Sequence, residues 1–176
     1  MQFKSTSMEG LTECFPAIYE DDRGFFFESY NQRLFAQHGI PYNFTQDNHS
    51  WSKKGVIRGL HFQYEPYAQG KLVRCVTGKV IDIVVDIRKG SPTYGQHEKF
   101  VLDSKIGNML YVPTGFAHGF VTLEDSIFAY KCTDYWHKAS ESGILYNDPA
   151  LNIDWGIDNP IVSGKDLALP LFKDLK

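Results

Sequence analysis

Two glycine-bounded segments constrain this chain most, because each sets polar residues at fixed spacing inside short strand patterns. The first covers residues 55–78 and runs G-VIRGL-H-F-Q-YEPYAQG-K-LVRCVT-G, with five residues between Gly55 and His61 and six between Lys71 and Gly78. The second covers residues 107–118 and runs G-NMLYV-P-T-G-FA-H, ending on His118. Successive side chains of a strand point to opposite faces. Alternation therefore places the odd residues from Ile57 to Gln63 on one face and aims His61 and Gln63 together. Lys71 shares a parity with Val73 and Cys75. Arg58 falls on the other parity, and a bulge at Gly59 would swing it to the same mouth. Asp82 sits among Ile81, Ile83 and Val84, where a lone carboxylate is costly; Lys71 is the expected partner.

The remaining pattern is also one of short strands, at 25–30, 100–102, 109–112, 119–123 and 127–133, split by Gly, Pro and Asp. Thr77-Gly78, between 72–76 and 79–87, reads as a hairpin turn. Helical signals are confined to 31–38, closed by Gly39 and Pro41, and to a short turn at 165–169. Strands at this spacing with little helical periodicity predict an all-β sandwich or jelly roll with a few short helices. The 176 residues show no low-complexity linker or repeat, and one domain over 1–176 is large enough to bury a substantial core.

Composition narrows the function classes. The net charge of −3 comes from both signs mixed along the chain, which gives no case for nucleic acid or an anionic membrane as partner. The opening MQFKSTSMEG lacks the apolar core of a signal peptide. The most apolar run, 80–87, is broken by Asp82 and Asp86, so no segment reads as a bilayer span. Cys14, Cys75 and Cys132 fit no disulfide or zinc spacing and read as reduced thiols of a cytoplasmic protein.

The two opening segments resemble the paired motifs of the cupin superfamily, a double-stranded β-helix. There the first motif supplies His, His and Glu to a metal and the second one more His. The matching positions here are His61, Gln63, Lys71 and His118. A lysine brings positive charge to where a cation would sit, and an amide replaces imidazole poorly. The expectation is a barrel with no metal and no cofactor, which keeps a His and a Lys in the vacated pocket. Such a pocket suits proton abstraction beside a carbonyl. That chemistry needs a base, an acid on the opposite face and a cationic or hydrogen-bonding group for the enolate oxygen. His61 is the candidate base, since imidazole titrates near neutrality. An isolated His is more often a hydrogen-bonded core residue; within RGLHFQ and facing Lys71 we read it as the base. Lys71 with Asp82 reads equally as enolate stabiliser or as structural ion pair.

Longer stretches resemble the dTDP-4-dehydrorhamnose 3,5-epimerases. These are DDRGFFFESYN at 21–31, QDNHSWSKKGVIRGLHFQ at 46–63, AQGKLVRCVTGKVIDIVVDIRKGSPTYGQ at 68–96, VPTGFAHGFVTLE at 112–124, YKCTDYW at 130–136 and SGKDLALPL at 163–171. The resemblance implies epimerisation at C-3 and C-5 of a nucleotide-linked 4-keto-6-deoxyhexose, in rhamnose biosynthesis. It implies that Asp166 orients His61 and that Tyr130 is the acid on the second face. Phe26, Phe27, Glu28, Gln46 and Asn48 match positions lining the nucleotide and sugar site. His118 is expected to line the pocket and to hydrogen-bond the sugar or Lys71. Arg58 and Arg23 are the best phosphate candidates by their guanidinium geometry. Lys53 and Lys54 are weaker, because paired lysines usually mark a solvated loop. Tyr135 or Trp136 would stack on thymine, and the Tyr-Trp pair departs from the Tyr-Tyr of many relatives. The resemblance further implies a homodimer in which a segment matching 25–30 adds to the partner's sheet, and a ketoreductase acting downstream. The apolar run of 25–30 on both parities fits burial on both faces, and a buried strand within one subunit would read the same. Alternatives left open are a GDP-linked keto sugar or keto-heptose, epimerisation of a single carbon, a ketoisomerase, a metal-dependent cupin and a non-catalytic sugar-binding cupin.

Overall fold

Two facing antiparallel sheets form a jelly-roll sandwich in the computed structural model, which describes residues 1–40 and 43–176. The strands are β1 (Gln2–Ser5), β2 (Thr12–Phe15), β3 (Tyr19–Asp21), β4 (Gly24–Phe26), β5 (Gln46–Ser52), β6 (Val56–Gln63), β7 (Lys71–Thr77), β8 (Lys79–Asp86), β9 (His97–Asp103), β10 (Met109–Val112), β11 (Phe116–Thr122), β12 (Ser126–Cys132), β13 (Glu141–Gly143) and β14 (Ile161–Val162). Helices are short: α1 (Gln32–Gln37), α2 (Gly164–Leu167) and a 3₁₀ turn at Phe172–Asp174. One sheet has the order β1-β2-β10-β7-β12-β5. The other has the order β13-β6-β11-β8-β9, with β14 added parallel to β6.

Alternation decides which residues fill the space between the sheets. Val73 and Cys75 of β7, Val80 and Val84 of β8, and Phe116 and Phe120 of β11 meet Phe128 of β12 in the inner core. Phe120 and Phe128 stack with ring centroids 4.1 Å apart. The outer face of the second sheet buries Ile57, Leu60, Phe62, Ile83 and Val85 against Ile144, Leu151 and Trp155 of the C-terminal third. The outer face of the first buries Leu72, Met109 and Tyr111 under Phe35 of α1.

Three sequence expectations change. Thr77-Gly78 does not close a hairpin, because β7 pairs with β10 and β12 whereas β8 pairs with β9 and β11. The chain crosses there from one sheet to the other, with Gly78 at φ +80°, where a Cβ would collide with Ser126 and the Asp125 carbonyl. The strand expected at 25–30 is the three-residue β4, paired only with β3. Within the single chain Phe25 and Phe26 are 64% and 70% exposed, so it is not their own chain that buries them. The odd residues 57–63 do not share a face: Ile57 packs outward with Leu60 and Phe62. The helix expected at 31–38 is α1, with Asn31 as its N-cap; Pro41, read as its stop, lies outside the described residues.

The reason for the split in β6 is the bulge anticipated at Gly59. His118 of β11 sits opposite His61 while Phe120 sits opposite Arg58, so three steps on β6 match two on β11. The extra residue brings Arg58 and His61 to the same inward face. Gly59 takes φ +127°, and a Cβ there would come within 2.5 Å of the Gly119 Cα and 2.9 Å of the His118 carbonyl oxygen. Gly59→Ala is expected to lose at least ~2 kcal/mol of stability, from left-handed strain and this backbone clash. Urea unfolding checks it; an unchanged midpoint would show that the bulge does not depend on glycine.

Candidate active site

The open end of the sandwich holds a polar cavity of about 350 Å³ that continues into a second lobe of about 250 Å³. Asn48, His61, Lys71, Tyr130 and Glu141 line both lobes. Arg58, His118, Lys165 and Asp166 complete the inner lobe, and Gln46, Gln63, Gln69 and Trp136 the outer one.

His61 projects from β6, and Asp166 reaches it from α2. The segment SGKD is built for this: Ser163 caps the turn by accepting the Asp166 backbone N–H at 3.1 Å, which frees the Asp166 carboxylate from capping. His61 Nε2 lies 2.7 Å from Asp166 Oδ1, and the Gly59 N–H donates to Oδ2 at 3.4 Å. Burial pushes the Asp166 carboxyl up, but the bonds from His61 and Gly59 and the nearby Lys165 outweigh it and hold it below the usual carboxylate range. An ionised carboxylate only accepts, so Nε2 carries the proton and the lone pair falls on Nδ1. The pair can therefore take up a proton at Nδ1 while Asp166 stabilises the resulting imidazolium.

Tyr130 stands on β12 in the opposite sheet. Burial pushes its phenol above the ordinary value, so it stays protonated at neutral pH and can donate. Lys71, on neighbouring β7, holds its ammonium 5.9 Å from the Tyr130 ring centroid. Burial pushes that ammonium down, against the pull of Cys132, Asp82 and Glu141. The Cys132 thiol is itself pushed up by burial, so the carboxylates are the anions that matter. Glu141 is one of them: burial raises it, yet hydrogen bonds from Lys165 and the Trp136 indole bring it below the usual range. Lys165 Nζ lies 2.8 Å from Glu141 Oε1.

Asp82 differs from expectation. Its hydrogen-bonded partner is His118, whose Nε2 lies 2.8 Å from Asp82 Oδ2. Asp82 has no solvent exposure, so it supports the cavity from beneath and does not face a ligand. Burial pushes its carboxyl up, opposed by His118 and then Lys71. The contact is a diagonal one on the inner face, since Asp82 lies opposite Phe120 and His118 opposite Val84. His118 thus lines the cavity as expected but is bound to Asp82 and not to Lys71.

The four cupin ligand positions do not act as one donor set. Nε2 of His61 and Nε2 of His118 are each committed to a different carboxylate. Gln63 is turned to backbone groups of two loops. Among the described residues no three His, Cys, Asp or Glu side chains gather as a metal would need.

The other expected ligands of a nucleotide sugar divide into two groups. Gln46 donates to the Asn48 Oδ1 at 3.0 Å, and both line the cavity. Arg58 also lines it, its guanidinium held by Ser52 Oγ at 2.9 Å and the Trp51 carbonyl at 3.2 Å. Trp136 lines the outer lobe, while Tyr135 beside it is 65% exposed and does not. Arg23, Phe26, Phe27 and Glu28 lie elsewhere, on and after the β3–β4 hairpin. Arg23 is paired to Asp21 in its own turn. Phe27 stacks with Phe25, and Glu28 accepts from Asn31. Within one chain these four do not reach the cavity that holds His61. Glu141, Lys165 and Gln69 were not anticipated. Lys165 is legible in hindsight from SGKD; Glu141 is not, because only the pairing of β13 with β6 sets it opposite Gln63.

The three buried cysteines form no disulfide, and among the described residues no helix is long and apolar enough to cross a membrane. The family model of dTDP-4-dehydrorhamnose 3,5-epimerase matches residues 5–174. The enzyme of that name from Salmonella typhimurium is 53% identical over 159 residues, 89% of this chain and 87% of its own. The dTDP-6-deoxy-D-glucose-3,5-epimerase of Legionella pneumophila, solved in complex with dTDP-4-keto-L-rhamnose, superposes with a TM-score of 0.95 at 44% identity, over 99% of this chain and 94% of that one. A 3'-monoepimerase of Streptomyces bikiniensis in complex with dTDP-quinovose superposes at 0.90 with 32% identity, over 96% and 86% of the two chains. With its cupin-like sandwich and an imidazole and a phenol on facing sheets, the chain belongs to the dTDP-4-dehydrorhamnose 3,5-epimerase family.

Proposed function

We propose that this protein converts dTDP-4-dehydro-6-deoxyglucose to dTDP-4-dehydrorhamnose by inverting C-3 and C-5, the whole chain acting as one epimerase domain. One observation carries the reading: His61, backed by Asp166, stands on one sheet, Tyr130 stands on the facing sheet, and Lys71 sits beside Tyr130. Nδ1 of His61 removes the proton beside the C-4 ketone. The Lys71 ammonium holds the enolate oxygen. The Tyr130 hydroxyl returns a proton from the other face, which inverts the carbon. Once His61 has released its proton to solvent and Tyr130 has regained one, the same sequence serves the second carbon on the other side of the ketone. Arg58 takes the pyrophosphate, and Trp136 lies against the base.

Arg23, Phe26, Phe27 and Glu28 enter this reading through a dimer, in which the β3–β4 hairpin of one chain reaches the cavity of its partner. The exposure of Phe25 and Phe26 supports that assignment. Inversion beside a ketone only equilibrates, so a ketoreductase is the expected next enzyme. The free cysteines suit a reducing cytoplasm.

The test is a time course in D2O with chelator-treated protein and dTDP-4-dehydro-6-deoxyglucose, followed by NMR and mass spectrometry. Deuterium is expected at both C-3 and C-5. The likeness to a 3'-monoepimerase makes labelling of C-3 alone the competing result, and no labelling would mean that the substrate is wrong. In the same assay, Tyr130→Phe is expected to keep proton loss but slow inversion by about 10²-fold, as for loss of one general acid. Unchanged inversion at both carbons would remove Tyr130 as the acid.

A further inference from the structure

The segment after β12 carries Tyr135 and Trp136 through a stretch with no ladder partner, so side chains can hold its backbone polar groups. Three glutamines from three parts of the chain do this. Gln69 Nε2 donates to the Asp134 carbonyl at 2.6 Å. Gln63 Nε2 donates to the Tyr135 carbonyl at 3.2 Å, and Gln63 Oε1 accepts the His137 N–H at 2.8 Å. Gln46 Oε1 accepts the Trp136 N–H at 2.9 Å. Carbonyls and N–H groups alternate here, and an amide can serve both from one side chain. Gln63 also donates to the Tyr67 carbonyl at 2.5 Å, so a single buried side chain ties the 64–70 loop to the 133–137 loop.

We propose that Gln46, Gln63 and Gln69 form an amide clamp that fixes the Tyr135–Trp136 segment as the wall of the nucleotide site, so that Gln63 and Gln69 are positioning residues for substrate affinity. The inference rests on the placement of the base against Trp136 proposed above. It accounts for an amide at the position where a cupin holds a metal ligand: the side chain there organises a loop and leaves the reacting carbons to His61, Lys71 and Tyr130.

Gln63→Glu keeps the acceptor for His137 but loses both donors, and Gln69→Leu removes a less buried arm should the first variant fold poorly. Hydrogen exchange by mass spectrometry and binding of dTDP by calorimetry are measured on each, with wild type and Trp136→Ala as references. The expected result is faster exchange confined to 133–140, dTDP binding and KM weakened about tenfold, and kcat within about threefold of wild type. Unchanged exchange in 133–140 would overturn the clamp. Faster exchange with unchanged affinity would overturn its role in binding if Trp136→Ala weakens dTDP. If Trp136→Ala also leaves dTDP binding intact, the placement of the base is what fails, and the clamp's proposed purpose fails with it. A fall in kcat with KM unchanged would place Gln63 in the chemistry and overturn the positioning role.

Discussion

His61→Ala is expected to lower deuterium incorporation at C-3 and C-5 between about 10²- and 10⁴-fold, the usual contribution of a positioned general base, with dTDP affinity close to wild type. The argument rests on tautomer and not on proximity alone. Asp166 is ionised at neutral pH, and its Oδ1 lies 2.7 Å from His61 Nε2, so the proton belongs on Nε2 and the base is Nδ1. Asp166→Asn makes a sharper test. An asparagine that turns its NH2 toward the ring would draw the lone pair to Nε2 and leave the proton on Nδ1, the wrong atom for abstraction. It should therefore lose rate in the same direction as His61→Ala, with little change in KM. The stability effect is separate. A carboxyl held below its unfolded value of about 3.9 adds stability above that pH and loses it as pH falls through the folded value. Asp166→Asn should thus narrow the difference between neutral and acid stability while the rate loss persists at neutral pH. Retained exchange in His61→Ala would dismiss His61 as the base.

The legibility of this site in the sequence follows from how local each relation is. His61 and Arg58 belong to one strand, and the glycine between them signals the bulge that turns both inward. Lys71 and its parity with Val73 and Cys75 are equally local, and those residues do share the inner face. The His118–Asp82 bond is not local. It depends on β8 and β11 being neighbours with Phe120 opposite Asp82, and parity within β8 cannot distinguish His118 from Lys71 as the partner. The turn at Thr77-Gly78 misleads for a similar reason, since a glycine at φ +80° serves a sheet-to-sheet crossing as readily as a hairpin. The aromatic run after Arg23 reads as a buried strand because an apolar run on both parities is the pattern of burial on both faces, yet its own chain leaves Phe25 and Phe26 exposed. Glu141 and the glutamine clamp carry no motif, because their roles arise only when β13 and two loops are folded against β6.

Lys71→Met is expected to lower the epimerisation rate by about 10²–10³-fold, some 2.7–4 kcal/mol of transition-state stabilisation, as for loss of one preorganised donor to a developing oxyanion. It is expected to leave the melting temperature unchanged or higher. The two effects have opposite signs because the ammonium is a cost to the fold: burial pushes its proton affinity down, and Asp82 and Glu141 recover only part of that. In linkage terms, a lysine with a folded value below its unfolded one lets stability rise with pH between the two, so the charged form is the strained one. Methionine is close in volume and removes that strain, while Asp82 keeps its bond to His118. The alternative, that Lys71 only pairs structurally with Asp82, predicts the reverse. It requires a clear drop in melting temperature with a rate loss under ~1 kcal/mol. Thermal unfolding and the D2O assay on the same preparation separate the two, since no purely structural role makes the protein more stable and much slower at once.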